Sequence, residues 1–506
     1  MTIAGSGNTT NAATGSAVTD NGTSDGTTIG DNATLVLNGA KGTASSGVNT
    51  KLNVGGSGYT VNTGNGANAT VTGAGNSITA GTSSTVNVSG NTDTSVAGAS
   101  STVTASGTSD TTSVGDHSSL TVAGGSDTST ATNYVSLWIN GTADTTTGGT
   151  YDSIQVNGSS NSTTSGASTL IGVTGTSNAS SVGSGSNLTV SSSGSGNTTW
   201  LGDSSVATIN GSGNTTSYNQ TGYNENLTID GNSNTSYANS NANVVIGGSG
   251  NSTTLGNSSS VQVYGSGNST STGTSSSMYV AGNSNSASLS THASLTVNGS
   301  GNYTTLGDLS AAAINGSGNT TSYNQSGYAE NLTIDGNSNT TYAGTSADVY
   351  IGGGGNSTNL GASSSVQVPG SGNSTSSGAS TWMYVTGSSN SANLGSGASL
   401  TVNGNGNYST TGAGSNIAVN GAGNATYAGN NSNMALQNAS NTGSEGANSN
   451  MQVWGVVEGS GWNTYFATTD VISMAAGPND YYVDEPNGIA FNTPYGFSVS
   501  NGRLSA

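Results

Sequence analysis

The sequence predicts an all-β fold: a β-solenoid of about 26 coils of 17 residues, with two short strands per coil and a distinct C-terminal cap region. Three observations carry this. A Gly-x-x-Asn motif recurs at near-constant spacing through most of the 506 residues. Paired aliphatic residues hold a second fixed phase between the motifs. The composition, with 82 Gly and only 5% charged residues, suits many corners and a thin apolar seam rather than helices.

The motif's fourth residue serves as an anchor. It begins at Asn8 and steps by 17 through Asp25, Gly42, Tyr59, Asn76, Asp93, Asp110, Asp127, Asp144, Asn161 and Asn178. Steps of 19, 17 and 20 then reach Asn197, Asn214 and Asn234, and the 17-residue step resumes to Asn319. One more step of 20 gives Asn339, and the series runs on to Asn441. Gly stands three residues before nearly every anchor and five after most, as at Gly22, Gly39, Gly30 and Gly47. Recurrent Gly at fixed phase marks positive φ or close backbone approach.

Ten and twelve residues after the anchor stand aliphatic pairs such as Leu35/Leu37, Val86/Val88, Leu120/Val122 and Leu295/Val297. A spacing of two puts both on one face of a strand. A second arm starts directly after the anchor, with its second and fourth residues facing the same interior. Its first and third residues point outward, Trp200 among them. One unit cannot bury its apolar face alone, so units stack at ~4.8 Å into a rod of roughly 125 Å.

A longer repeat of 105 residues lies on top. Tyr218-Asn219-Gln220-Thr221-Gly222-Tyr223 returns as Tyr323-Asn324-Gln325-Ser326-Gly327-Tyr328. The extra residues are expected to protrude as loops, with Tyr218, Tyr223, Tyr323 and Tyr328 offered to a glycan or partner. From about residue 454 the texture changes. Three of the four Pro and all three Phe lie there. The chain thus divides into a repeat rod, 1–453, and a tail, 454–506, read as cap, export signal or assembly segment. Trp454, Trp462, Tyr481, Tyr482 and Phe497 are its candidate contacts.

The composition also excludes. Three basic residues, Lys41, Lys51 and Arg503, cannot neutralise a nucleic-acid backbone, and the net charge is −19. No apolar run is long enough for a transmembrane helix. With no Cys there is no disulfide and no thiolate site. His117 and His292 read as isolated surface residues without a shared phase. No nucleophile elbow or Glu/His zinc motif occurs, so an enzyme is not expected. Asp93, Asp110, Asp127 and Asp144 share one phase in four consecutive coils. They read either as a solvated acidic stripe or as a Ca²⁺ site completed by backbone carbonyls. Outward Thr-x-Thr runs such as Thr128-Ser129-Thr130 raise ice binding as a distant third function.

The Gly-x-x-Asp context and the Cys-free, Lys-poor repeats resemble bacterial secreted repeat proteins. These are RTX-like proteins, adhesins, surface-layer proteins and biofilm-matrix fibres. That resemblance implies an extracellular or cell-surface protein; no cofactor is expected to be required, with Ca²⁺ the one candidate. The start, Met1-Thr2-Ile3-Ala4-Gly5, shows no signal-peptide pattern, which fits export by type I secretion. The expected function is a structural protein that polymerises with itself, head to tail, into a fibre. The alternative is an adhesin or surface coat that binds cells, glycans or matrix components.

Overall fold

The computed structural model describes residues 1–218, 224–323, 329–438, 441–444 and 446–454. Beyond these it describes four short strands, Asn463–Tyr465, Val471–Ala475, Ser498–Ser500 and Arg503–Ser505. The fold is a parallel β-solenoid of about 26 coils of about 17 residues with two strands per coil. Among the described residues there is no helix. The chain forms two compact units, Met1–Gly256 and Asn257–Ala506, built from the same coil.

In the first unit the coil anchored at Asp93 shows the plan. Its first arm is Thr94–Ala97 and its second Thr102–Ala105. Thr94 pairs in parallel with Ser77 one coil back and Thr111 one coil on. Thr102 pairs likewise with Thr85 and Ser119. The longer steps leave the register intact, since Ala179 still pairs with Thr198 and Thr215 with Thr235. Extra residues are absorbed in corners because slipping a strand by one would turn its buried face outward.

The second unit repeats the plan. Ser286–Leu289 pairs with Tyr303–Leu306, and Ser294–Val297 with Ala311–Ile314. Parallel pairing continues past residue 454, where Asn450–Trp454 pairs with Val471–Ala475. Arg503–Ser505 then pairs antiparallel with Asn463–Tyr465.

The expected inward and outward phases are present in both units. Leu35, Leu37, Val86, Val88, Leu295 and Val297 are buried, and so are the first-arm residues Thr112, Val114, Thr304 and Leu306. Trp200, Tyr237, Tyr303 and Tyr342 are exposed. A buried Val, Leu or Ile contributes about 1.5–3 kcal/mol, so the seam needs only two larger aliphatics per coil.

The corners divide their labour in a way the Gly spacing does not reveal. The Gly columns three before and five after the anchor are close-approach sites. A Cβ on Gly39 would fall on the carbonyl oxygen of Gly22, and one on Gly47 would lie 2.7 Å from the Asp31 nitrogen. Positive φ falls mostly elsewhere, one residue before the anchor and seven after it, with Gly5 and Asn438 as exceptions. Ser109 (φ 60°) and Ser100 (φ 58°) are examples, and Ser or Asn fills many of these places.

Candidate functional site

The anchor column is the most regular polar feature of the molecule. Where a buried anchor is Asn or Asp its side chain turns inward, and in coil after coil its Oδ1 accepts the backbone N–H of the previous anchor; Gly42 and Tyr59 interrupt the series. Asn161 N–H donates to Asn178 Oδ1 at 2.9 Å, and Asn373 N–H to Asn390 Oδ1 at 2.8 Å. In many coils the Nδ2 donates to the carbonyl of the Gly three residues before the previous anchor. Asn161 reaches Gly141 O at 3.1 Å and Asn234 reaches Gly211 O at 2.9 Å. One amide thus satisfies a donor and an acceptor inside the wall.

Asp93, Asp110, Asp127 and Asp144 stand in this column and are buried, each about 1% exposed. The solvated stripe is therefore corrected: the side chains lie within the wall because the anchor position faces inward here as it does at Asn76 and Asn161 on either side. Their Oδ1 atoms accept the N–H of Asn76 (2.7 Å), Asp93 (2.9 Å), Asp110 (2.8 Å) and Asp127 (3.0 Å) in turn. Their Oδ2 atoms have no hydrogen-bond partner. Burial raises all four carboxyl pKa values above the usual range, against the pull of the donated backbone N–H. Among the described residues, no group of three or more His, Cys, Asp or Glu side chains could hold a metal ion.

The inserted corners hold a second buried constellation. Tyr218 and Tyr323 are the fourth residues of their arms and face inward, each 4% exposed. This corrects their assignment to exposed partner loops: in-register pairing of both arms fixes the inward phase before the insertion begins. Tyr218 Oη donates to Asn226 O at 2.9 Å. Burial, reinforced by the Glu225 charge, pushes its hydroxyl up, as burial and Glu330 do for Tyr323.

Glu225 and Glu330, which the sequence reading passed over, are both fully buried. In an ordinary coil the N–H five after the anchor bonds to a backbone carbonyl one coil back, as Gly98 does to Ala80 at 3.0 Å. At the insertion a Glu carboxylate stands in for that carbonyl. Glu225 Oε2 accepts Asn239 N–H at 2.7 Å and Glu330 Oε2 accepts Gly344 N–H at 2.8 Å. The signal was a Glu in a column held mostly by Ser, Thr and Ala, hidden by the three inserted residues.

His117 and His292 are exposed but share a phase, since both take positive φ seven residues after their anchors, Asp110 and Asn285. His117 stacks on Tyr134 at 5.0 Å, and Tyr134 on Tyr151 at the same distance, so it is not isolated. Tyr223, Tyr328, Trp462, Tyr481, Tyr482 and Phe497 lie outside the described residues, as does the side chain of Trp454.

On the outer face of the second unit, Trp382 and Tyr384 stack in parallel with centroids 6.1 Å apart. They pair in register with Ser399 and Thr401. Those two border a shallow depression also lined by Asn416, Ala418, Asn433 and Ala435. No protein family, curated protein or solved structure matches the chain.

Proposed function

We propose that the chain is an extracellular structural protein that assembles with itself, head to tail, into a fibre of a matrix, sheath or surface coat. The in-register ladder between coils is the observation that carries this reading. Thr94 N–H donates to Asn76 O at 2.7 Å, and Thr111 N–H donates to Asp93 O at 2.8 Å. Every coil therefore offers acceptors to the next and donors to the last, in one repeated outline. A coil from another chain can extend such a ladder without a new shape. Sheet edges are commonly blunted by Lys, and this chain has only three basic residues. Negative-stain electron microscopy of the purified full chain is expected to show filaments whose growth depends on concentration. A strictly monomeric chain at high concentration in sedimentation would overturn the proposal.

The depression beside Trp382 and Tyr384 supports a second reading, adhesion to a neutral glycan. Parallel aromatic faces suit the C–H faces of sugar rings, and the flanking Asn amides suit hydroxyls. Loss of glycan-array binding in Trp382→Ala, with assembly unchanged, favours adhesion. Equal binding by both proteins removes this site from consideration.

A further inference from the structure

The Asp stretch repeats the Asn wall with one atom changed in each coil. Where Asn161 anchors, a Cβ on Gly158 would meet Gly141 O and Asn161 Nδ2. Where Asp93 and Asp110 anchor, a Cβ on Gly90 or Gly107 would meet the carbonyl oxygen one coil back and the Asp Oδ2. Oδ2 thus occupies the seat of the amide nitrogen. It is a buried, bare acceptor beside another acceptor. A proton on Oδ2 restores the donor–acceptor pattern of the amide.

We propose that Asp93, Asp110, Asp127 and Asp144 form a proton-binding column. Each carboxyl takes one proton from solvent and donates it from Oδ2 to the neighbouring Gly carbonyl, so this stretch tightens on acidification. The charged groups facing each member are its neighbours in the column: Asp110 acts on Asp93, and Asp110 and Asp144 act on Asp127. The flanking anchors, Asn76 and Asn161, are neutral. The paired second arms, such as Thr85–Val88 and Thr102–Ala105, carry no titratable residue. At the other corner His117 acts on Asp116, and Asp116 acts on Asp152.

Burial does most of the raising and carries Asp127 to about 6. An unfolded Asp titrates near 3.9, so between about pH 4 and pH 6 the folded chain binds more protons than the unfolded one. The contribution of Asp127 is therefore complete below about pH 4 and lost as pH climbs through 6, and Asp93, Asp110 and Asp144, also raised by burial, act in the same direction. This is the reverse of a salt-bridged Asp. Asp25 supplies the contrast: the Asn8 backbone N–H, with the Asn8 amide 3.2 Å from both its oxygens, holds its carboxyl below the usual range.

Amide hydrogen exchange of the full chain, corrected for intrinsic rates, tests the proposal with peptides spanning 85–147 and 243–302. Protection of the first segment is expected to fall about tenfold or more from pH 5 to pH 8, and that of the Asn-anchored second segment much less. In the quadruple Asp→Asn variant the first segment should lose this dependence. Infrared spectra at pH 5 should show protonated-carboxyl bands in the native chain that weaken in the variant. Four Asp→Asn changes at the exposed Asp31, Asp230, Asp335 and Asp348 control for net charge. An equal pH dependence in the quadruple variant overturns the proposal. So does protection of the first segment that rises with added Ca²⁺ and falls with chelator at pH 8, because a cation would then fill the Oδ2 seats.

Discussion

The two inserted corners place the same Tyr and Glu around the same expansion, and they differ at one contact. In the first, both Glu225 oxygens are occupied: Oε2 by Asn239 N–H and Oε1 by Asn239 Nδ2 at 3.2 Å. In the second, Gly344 stands where Asn239 does, and Glu330 Oε1 has no partner. Both carboxyl pKa values are raised by burial, and Glu330 reaches about 7. The Asn239 backbone N–H and side-chain amide both hold Glu225 down, whereas Glu330 has only the Gly344 N–H to do so. A buried carboxylate can therefore replace a displaced carbonyl, and the number of donors it meets sets how readily it stays charged.

The largest effects should come from what the corners share. Tyr218→Ala and Tyr323→Ala each empty a buried ring site and should lower local stability by about 3–5 kcal/mol. Hydrogen exchange is the appropriate measure, because long repeat arrays need not unfold in two states. Equal losses confirm the corners as equivalent packing sites; a loss in one copy alone breaks the equivalence.

Truncating the acids should separate the copies. Glu225→Ala orphans the Asn239 N–H and amide and should lower local stability by about 2–3 kcal/mol. Glu330→Ala orphans one N–H while removing an under-partnered carboxylate, so about 1 kcal/mol is expected. Denaturant-dependent exchange at Asn239 and Gly344 would measure both. A larger loss in Glu330→Ala would mean that the bare oxygen is better satisfied than its hydrogen bonds show.

The pH response follows from the raised carboxyl. An unfolded Glu titrates near 4.3, so Glu330 stabilises its corner fully below about pH 4 and loses that contribution as pH passes 7. The loss is on the order of 4 kcal/mol, read as faster exchange at Gly344 after intrinsic-rate correction. Glu330→Gln should flatten the response, whereas Glu225→Gln should change its own corner less. A corner that strengthens above pH 7 would show that the charged form is the favoured one.

The fold was legible because period and phase agree. A step of 17 with Leu35/Leu37 or Val86/Val88 at fixed offsets admits one side of each strand as interior, and Trp200 falls outside as expected. The site was less legible for a specific reason. Asp reads as a surface residue, yet Asp93 and Asn161 share one inward position, and only the ladder shows that a carboxylate occupies an amide's seat. Ser100 and Ser109 hold left-handed corners that Ser does not announce, while the conspicuous Gly columns serve close approach. Glu225 was masked by the insertion, which moves it three places from the small-residue column it belongs to.

The smallest predicted effect is the most discriminating. Gly344→Asn should carry the missing donor into the second corner. Gly344 belongs to the close-approach column, but Asn239 holds a side chain at the equivalent place in the first corner, so a fold retained with small local adjustment is expected. The new amide would reach Glu330 Oε1 as Asn239 reaches Glu225, a gain of about 0.5–1.5 kcal/mol at neutral pH. The same bond favours the carboxylate, so the pH at which the corner weakens should move below 7. The reciprocal Asn239→Gly should raise the midpoint of the first corner and lower its stability at neutral pH. Opposite shifts of the two midpoints, followed by exchange at the paired amides, would trace the difference between the corners to one side chain. If neither midpoint moves, desolvation alone sets both carboxyls, and the Asn239 amide contributes packing rather than charge stabilisation.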